Sequence, residues 1–351
     1  MASSVLKQPL FLFLPLLLCG SMLLPRAWAA TCATQAQMTA AERDVLANAA
    51  RTIMAQVQSG NIAAIRASTL PAVAAEFNGI QQSVQYLQPI VQPAAITIDN
   101  LYLLDASSEP PNQLRTDFYC GSPVVGFDFN GIPPGTYGLA IVHATGVKQP
   151  QQIVLILART QESRWLLAGF FDKPMVLAGH DGTWYWATAR RYAQSNAGWT
   201  ASIYYRIASN LLDPVDFLAS PNLEKLRHEA DQVHTTLPAA ASPLNVNAGG
   251  ATYRVTSIDT TTEFGPLDLD VHYVPDASQT AELRYPVIAR KQVMDLMTAL
   301  LTMHPELAAA FHGMWLHADQ GNVSLFALEL PMSASAATGR LGTPFHAPAS
   351  Q

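Results

Sequence analysis

The hydrophobic period of this 351-residue chain first changes near Pro93, and that change limits the possible folds of its N-terminal half more than any other feature. Before it, apolar residues recur at helical spacing; after it they alternate. Thr39-Ala-Ala-Glu42 is a capping box, in which the Thr39 hydroxyl and the Glu42 carboxylate each satisfy the other residue's backbone N–H. It predicts a helix with Val45, Ala49, Ile53 (or Thr52), Ala55 and Val57 as its apolar stripe, stopped at Ser59-Gly60. Asn61 then caps a short helix to about Ser68, and Pro71 opens a third carrying Val73, Phe77, Ile80 and Val84 toward Leu87.

Beyond Pro93 the alternation predicts strands over 96–103, 114–120, 124–129, 137–144, 152–159 and 165–171, with turns at Pro133-Pro134-Gly135 and Thr160–Ser163. Helices followed by a run of strands give an α+β class, in which the helices cover one face of an antiparallel sheet. The helix junction Ser59-Gly60-Asn61 and the closing segment Trp165-Leu-Leu-Ala-Gly-Phe-Phe171 resemble the NTF2-like cone-shaped fold over residues 38–172. That resemblance implies a curved, concave sheet with a pocket beneath the helices. It carries over no catalytic role, because no pattern here matches the family's catalytic Asp/Tyr arrangement.

If such a pocket exists, three residues are expected to line it. Tyr137, Leu139, Ile141 and His143 share one strand face, and Asp117 and Tyr119 flank Phe118 on another, so Asp117, Tyr119 and His143 are the expected ligand-binding residues. The plain alternative is a satisfied buried histidine and edge-strand polar groups. Residues 30–175 form this first domain. Residues 176–236 follow as an aromatic-rich helical hairpin plus a third helix, 237–250 as a linker, 251–332 as a smaller α+β domain, and 333–351 as an Ala/Ser/Pro-rich disordered tail.

Residues 1–29 read as a secretory signal peptide: Lys7, an apolar stretch from Leu10 to Leu24, then Ala27-Trp28-Ala29. The stretch is shorter than the roughly twenty residues a membrane span needs, so no stable span is expected after cleavage. A lipoprotein reading through Cys19 or Cys32 lacks the preceding Gly or Ala. Arginine outnumbers lysine 15 to 5, which points to a GC-rich bacterial genome and hence to the periplasm or the medium. In an oxidising compartment Cys32 and Cys120 are expected to form a disulfide; two unpaired thiols are the alternative.

The charged fraction is 13% and the net charge −6, which argues against a basic nucleic-acid binder. No G-x-S-x-G, Walker loop or G-x-G-x-x-G occurs, so no cofactor is expected. Asp268, Asp270 and His272 fall on one face of a strand and could begin a metal site, but the wet face of an amphipathic strand explains them without an ion, and no metal is assigned. His228-Glu229 and His234 miss the i, i+4 spacing of a zinc helix. His304, His312 and His317 would meet only by tertiary accident, and Asp181, beside His180, is placed to cap a helix. These readings converge on an exported, non-enzymatic protein that binds a small molecule or an envelope protein. The alternative is an acid–base enzyme using Asp117 or His143 on a small apolar substrate.

Overall fold

The computed structural model describes residues 30–335 and 343–345; residues 1–29, which the sequence reads as a signal peptide, lie outside the described residues. The architecture is α+β. Strand β1 (Thr31–Thr34) precedes α1 (Ala40–Gln58), which begins at the capping box: the Glu42 carboxylate accepts the Thr39 N–H at 2.9 Å and the Thr39 hydroxyl accepts the Glu42 N–H at 3.3 Å. The buried stripe is Leu46, Ala47, Ala50, Ile53, Met54 and Val57, whereas Val45 is exposed. It is therefore rotated from the expected one, because the alanine-rich helix offers two apolar faces and packing chooses between them. Asn61 caps α2 (Ile62–Ala67) as expected. The third helix divides into α3 (Pro71–Ala74) and α4 (Asn78–Val91).

Strands β2 (Ala95–Asp105), β3 (Arg115–Cys120), β4 (Val125–Asn130), β5 (Thr136–Thr145), β6 (Gln151–Arg159) and β7 (Trp165–Pro174) follow the expected alternation. They do not share one sheet. Five strands form the order β1-β2-β5-β6-β7, while the β3–β4 hairpin folds over that sheet's outer face. Phe118, Phe127 and Phe129 of the hairpin are buried with Tyr102, Leu104, Leu139 and Ile156. Alternation marks a strand without naming its sheet, which is why the excursion was not readable. A disulfide between Cys32 and Cys120, with Cα atoms 5.1 Å apart, ties β1 to β3.

On the opposite face, Leu46, Val57 and Leu87 pack with Ala140, Val142 and Leu155. Leu46 lies directly against Gly138, where a Cβ would overlap it. Side chains of the helices and of the sheet thus pack against one another across this layer.

A two-stranded ribbon, β8 (Val176–Leu177) and β9 (His180–Asp181), leads into the hairpin α5 (Gly182–Gln194) and α6 (Gly198–Leu212). β10 (Leu218–Ala219) then pairs with β4, and α7 (Pro221–Asp231) follows. The C-terminal sheet runs in the order β11 (Leu244–Ala248), β12 (Ala251–Thr261), β13 (Asp268–Val274), β14 (Gly313–Gln320), β15 (Val323–Pro331) and β16 (Thr343–Phe345). β13 and β14 are parallel; the other neighbours are antiparallel. A parallel pair needs a crossover, here α8 (Ala277–Glu282), α9 (Pro286–Met303) and α10 (Leu307–Ala310).

Two expectations need correction. β11 lies inside the segment read as a linker; only Val246 is buried among its polar neighbours, too little to register as alternation. In the tail, Met332–Ser335 forms a 3-10 turn and residues 343–345 an edge strand, while 336–342 and 346–351 lie outside the described residues. The helical hairpin shares one core with the C-terminal sheet: Tyr185, Trp199 and Tyr204 are buried in a continuous cluster with Leu269, Leu296 and Met314. It also touches the first sheet, where the buried Gln152 amide donates to the Leu211 carbonyl at 2.8 Å. Among the described residues no helix is long and apolar enough to cross a membrane.

Candidate metal centre

Alternation along β13 and β14 sorts their side chains onto two faces. Leu269, Val271 and Tyr273, with Met314, Leu316 and Ala318, enter the core shared with α9. Asp268, Asp270 and His272, with Trp315, His317 and Asp319, therefore occupy the other face. The parallel register sets Asp270 opposite Trp315 and His272 opposite His317, and the two imidazoles stack at 4.6 Å between centroids.

Asp270 Oδ1 lies 3.1 Å from His317 Nε2 and 3.4 Å from His272 Nε2. Neither approach has hydrogen-bond geometry: Asp270 Oδ1 and His317 Nε2 are both buried without a hydrogen-bond partner, among the described residues. The outer ring nitrogens are held instead. His272 Nδ1 is 2.6 Å from the Asp319 carboxylate, and His317 Nδ1 is 3.3 Å from the Ser324 hydroxyl. A carboxylate can only accept, so His272 Nδ1 carries the proton and the ring is held with Nε2 turned toward Asp270, while the contact to the Ser324 hydroxyl holds the His317 ring with its Nε2 on the same side.

Three donor atoms thus converge within 4.8 Å of one another. At zinc–nitrogen and zinc–oxygen bond lengths of about 2.0–2.1 Å, two ligands of a tetrahedral ion stand roughly 3.3 Å apart. The observed 3.1 and 3.4 Å match that edge. The side chains are mostly buried, with exposures of 25% for Asp270, 32% for His272 and 12% for His317. Without an ion, Asp270 and Asp319 together raise the His272 pKa to about 9 against the opposing effect of burial. Burial acts to raise the Asp270 carboxyl, but the two imidazoles outweigh it and hold the group well below the carboxylate range. The constellation has two imidazoles, one carboxylate and outer partners fixing the rings. It can hold a divalent ion with coordination positions left for water or a ligand.

The expected ligand-binding residues do not meet. Asp117 pairs with Arg115 at 3.0 Å, and Tyr119 is 70% exposed; both border a cavity of about 350 Å³ with Asp128 and Arg227. His143 lines a different cavity, of about 490 Å³, with Tyr102, Ile141, Gln152 and Trp186. Asp181 caps α5, accepting the Trp184 N–H at 2.8 Å. His228 contacts Gln232, while Glu229 is gripped by Arg190 and by the Trp186 indole N–H rather than left solvated. His304, His312 and His317 do not converge on one another: His304 stacks on Trp199 at 3.7 Å, His312 bonds Asp268 and His317 faces Asp270. The shared face of Asp270 and His272 was readable in the sequence; the contributions of His317 and Asp319 were not, because they depend on the parallel register.

No family model matches the chain, and no curated protein or solved structure matches it either.

Proposed function

We propose that this chain is an extracytoplasmic metal-binding protein of the bacterial cell envelope that holds one divalent transition-metal ion, with zinc the best fit, on His272 Nε2, His317 Nε2 and the Asp270 carboxylate. One observation carries the reading: three donor atoms meet at ligand-to-ligand distances without bonding one another, while the far nitrogen of each imidazole is tied down. The Cys32–Cys120 disulfide supports placement in an oxidising compartment, as the sequence reading expects. The acid–base alternative has less support, since Asp117 and His143 border separate cavities.

The test is calorimetric titration of the chelator-stripped chain with Zn²⁺. The expected result is one equivalent bound at His272, His317 and Asp270, with affinity reduced at least a hundredfold in His317→Ala. No heat from the folded chain, or unchanged affinity in that variant, overturns the proposal.

A further inference from the structure

A second cluster on the same sheet face shares no ligand with the first. Asp268 opens β13, His312 immediately precedes β14, and Glu329 lies on β15. Asp268 is fully buried; its Oδ1 is 3.1 Å from His312 Nδ1, and its Oδ2 has no hydrogen-bond partner among the described residues. Gly313 forms the floor between the carboxylates. A Cβ there would sit 2.6 Å from Glu329 Oε1 and 3.0 Å from Asp268 Oδ1, so the glycine leaves open the space onto which both oxygens converge. One donor atom from each of Asp268, His312 and Glu329 falls within 4.8 Å of the other two.

A carboxylate removed from water, with a second one beside it, needs a compensating positive charge. A single imidazole, 56% exposed, faces the pair. Two carboxylates and one imidazole form a more oxygen-rich donor set than the two imidazoles and one carboxylate of the first site. His312 also borders a cleft of about 470 Å³ between the helical hairpin and the sheet, walled by Trp184, Tyr204 and Phe311, which provides a route of entry. In the strand register Trp315 stands between Asp270 and Glu329, and its ring packs against His317 and Phe264.

We propose that Asp268, His312 and Glu329 form a second divalent-cation site, harder in character than the first and suited to Mn²⁺, opening toward the aromatic cleft. It does not depend on the zinc proposal, since no residue is common to both.

The experiment follows loss of the free Mn²⁺ electron paramagnetic resonance signal on titration of the full chain loaded with one equivalent of zinc. One Mn²⁺ is expected to bind. Glu329→Gln, nearly isosteric, and His312→Asn, at a largely exposed position, should each weaken it at least tenfold. No Mn²⁺ uptake by the zinc-loaded wild-type chain overturns the proposal whatever the variants do, as does uptake indifferent to Glu329→Gln. Glu329-dependent Mn²⁺ binding in a chain that takes up no zinc would sustain this site and reject the other.

Discussion

His272 and His317 occupy the same register position on two parallel strands and stack face to face, although 44 residues of β-strand and helical crossover lie between them in the chain. Each ring is anchored at Nδ1 from the next strand along the sheet: Asp319 of β14 holds His272, and Ser324 of β15 holds His317. The site is thus fixed from β14 and β15 outward as much as by its own donors.

Asp319→Asn removes the carboxylate that orients His272 while keeping the side chain's size. The expected outcome is a fold indistinguishable by circular dichroism and zinc affinity reduced roughly 10- to 100-fold, the range for outer partners of ligating histidines. Ser324→Ala, which removes a longer and weaker contact, should lower affinity less. Calorimetry on both variants checks the order.

The metal-free protein should be less stable in mild alkali. His272 has a folded-state pKa raised from 6.5 to about 9, chiefly by Asp270 and then by Asp319. A raised pKa contributes stability that is fully present below pH 6.5 and is lost as the pH rises through about 9. Urea midpoints measured in chelator should therefore fall across that window. His272→Asn should flatten the profile, as should saturating zinc, which requires the imidazole to be unprotonated.

Cys32 and Cys120 close a loop with a sequence separation of 88. The chain-entropy model assigns such a loop up to about 4–5 kcal/mol, and native disulfides commonly contribute about 2–4 kcal/mol. The Cys32→Ser/Cys120→Ser double variant should unfold at a lower temperature by scanning calorimetry. Zinc affinity should be unchanged, because the bond ties β1 to β3, remote in the topology from β13 and β14.

Asp181→Ala should cost about 1 kcal/mol, the usual value of an N-cap. The carboxylate accepts from the Thr183 hydroxyl and the Trp184 N–H, and these bonds hold its pKa below the ordinary range. Denaturant unfolding at pH 7 measures the loss, and Asp181→Asn, which still caps, should recover most of it.

Local chemistry was readable where a residue acts on its own neighbours. Thr39, Asn61 and Asp181 announce helix starts because capping is settled within three residues. The strands of the first domain were readable because two-residue alternation survives any change of partner. What alternation does not encode is the partner: it left β3 and β4 in the wrong sheet, passed over β11, and gave no reason to bring His317 to Asp270. The same limit explains the expectation of a wet face at Asp268, which is fully buried. A strand's polar side looks solvated until the chain that covers it is known. Asp117, Tyr119 and His143 were chosen by face alone, and the excursion of β3–β4 from the main sheet carries them apart.

The parallel pairing of β13 with β14 also imposes an order of events. Asp270 and His272 precede the crossover helices and His317 follows them, so none of the three-donor geometry exists until α9 has packed and the second strand has docked. An ion at this site can be acquired only by a finished domain. A chain exported unfolded would carry no metal across the membrane, and would take its ion from whatever the destination compartment supplies.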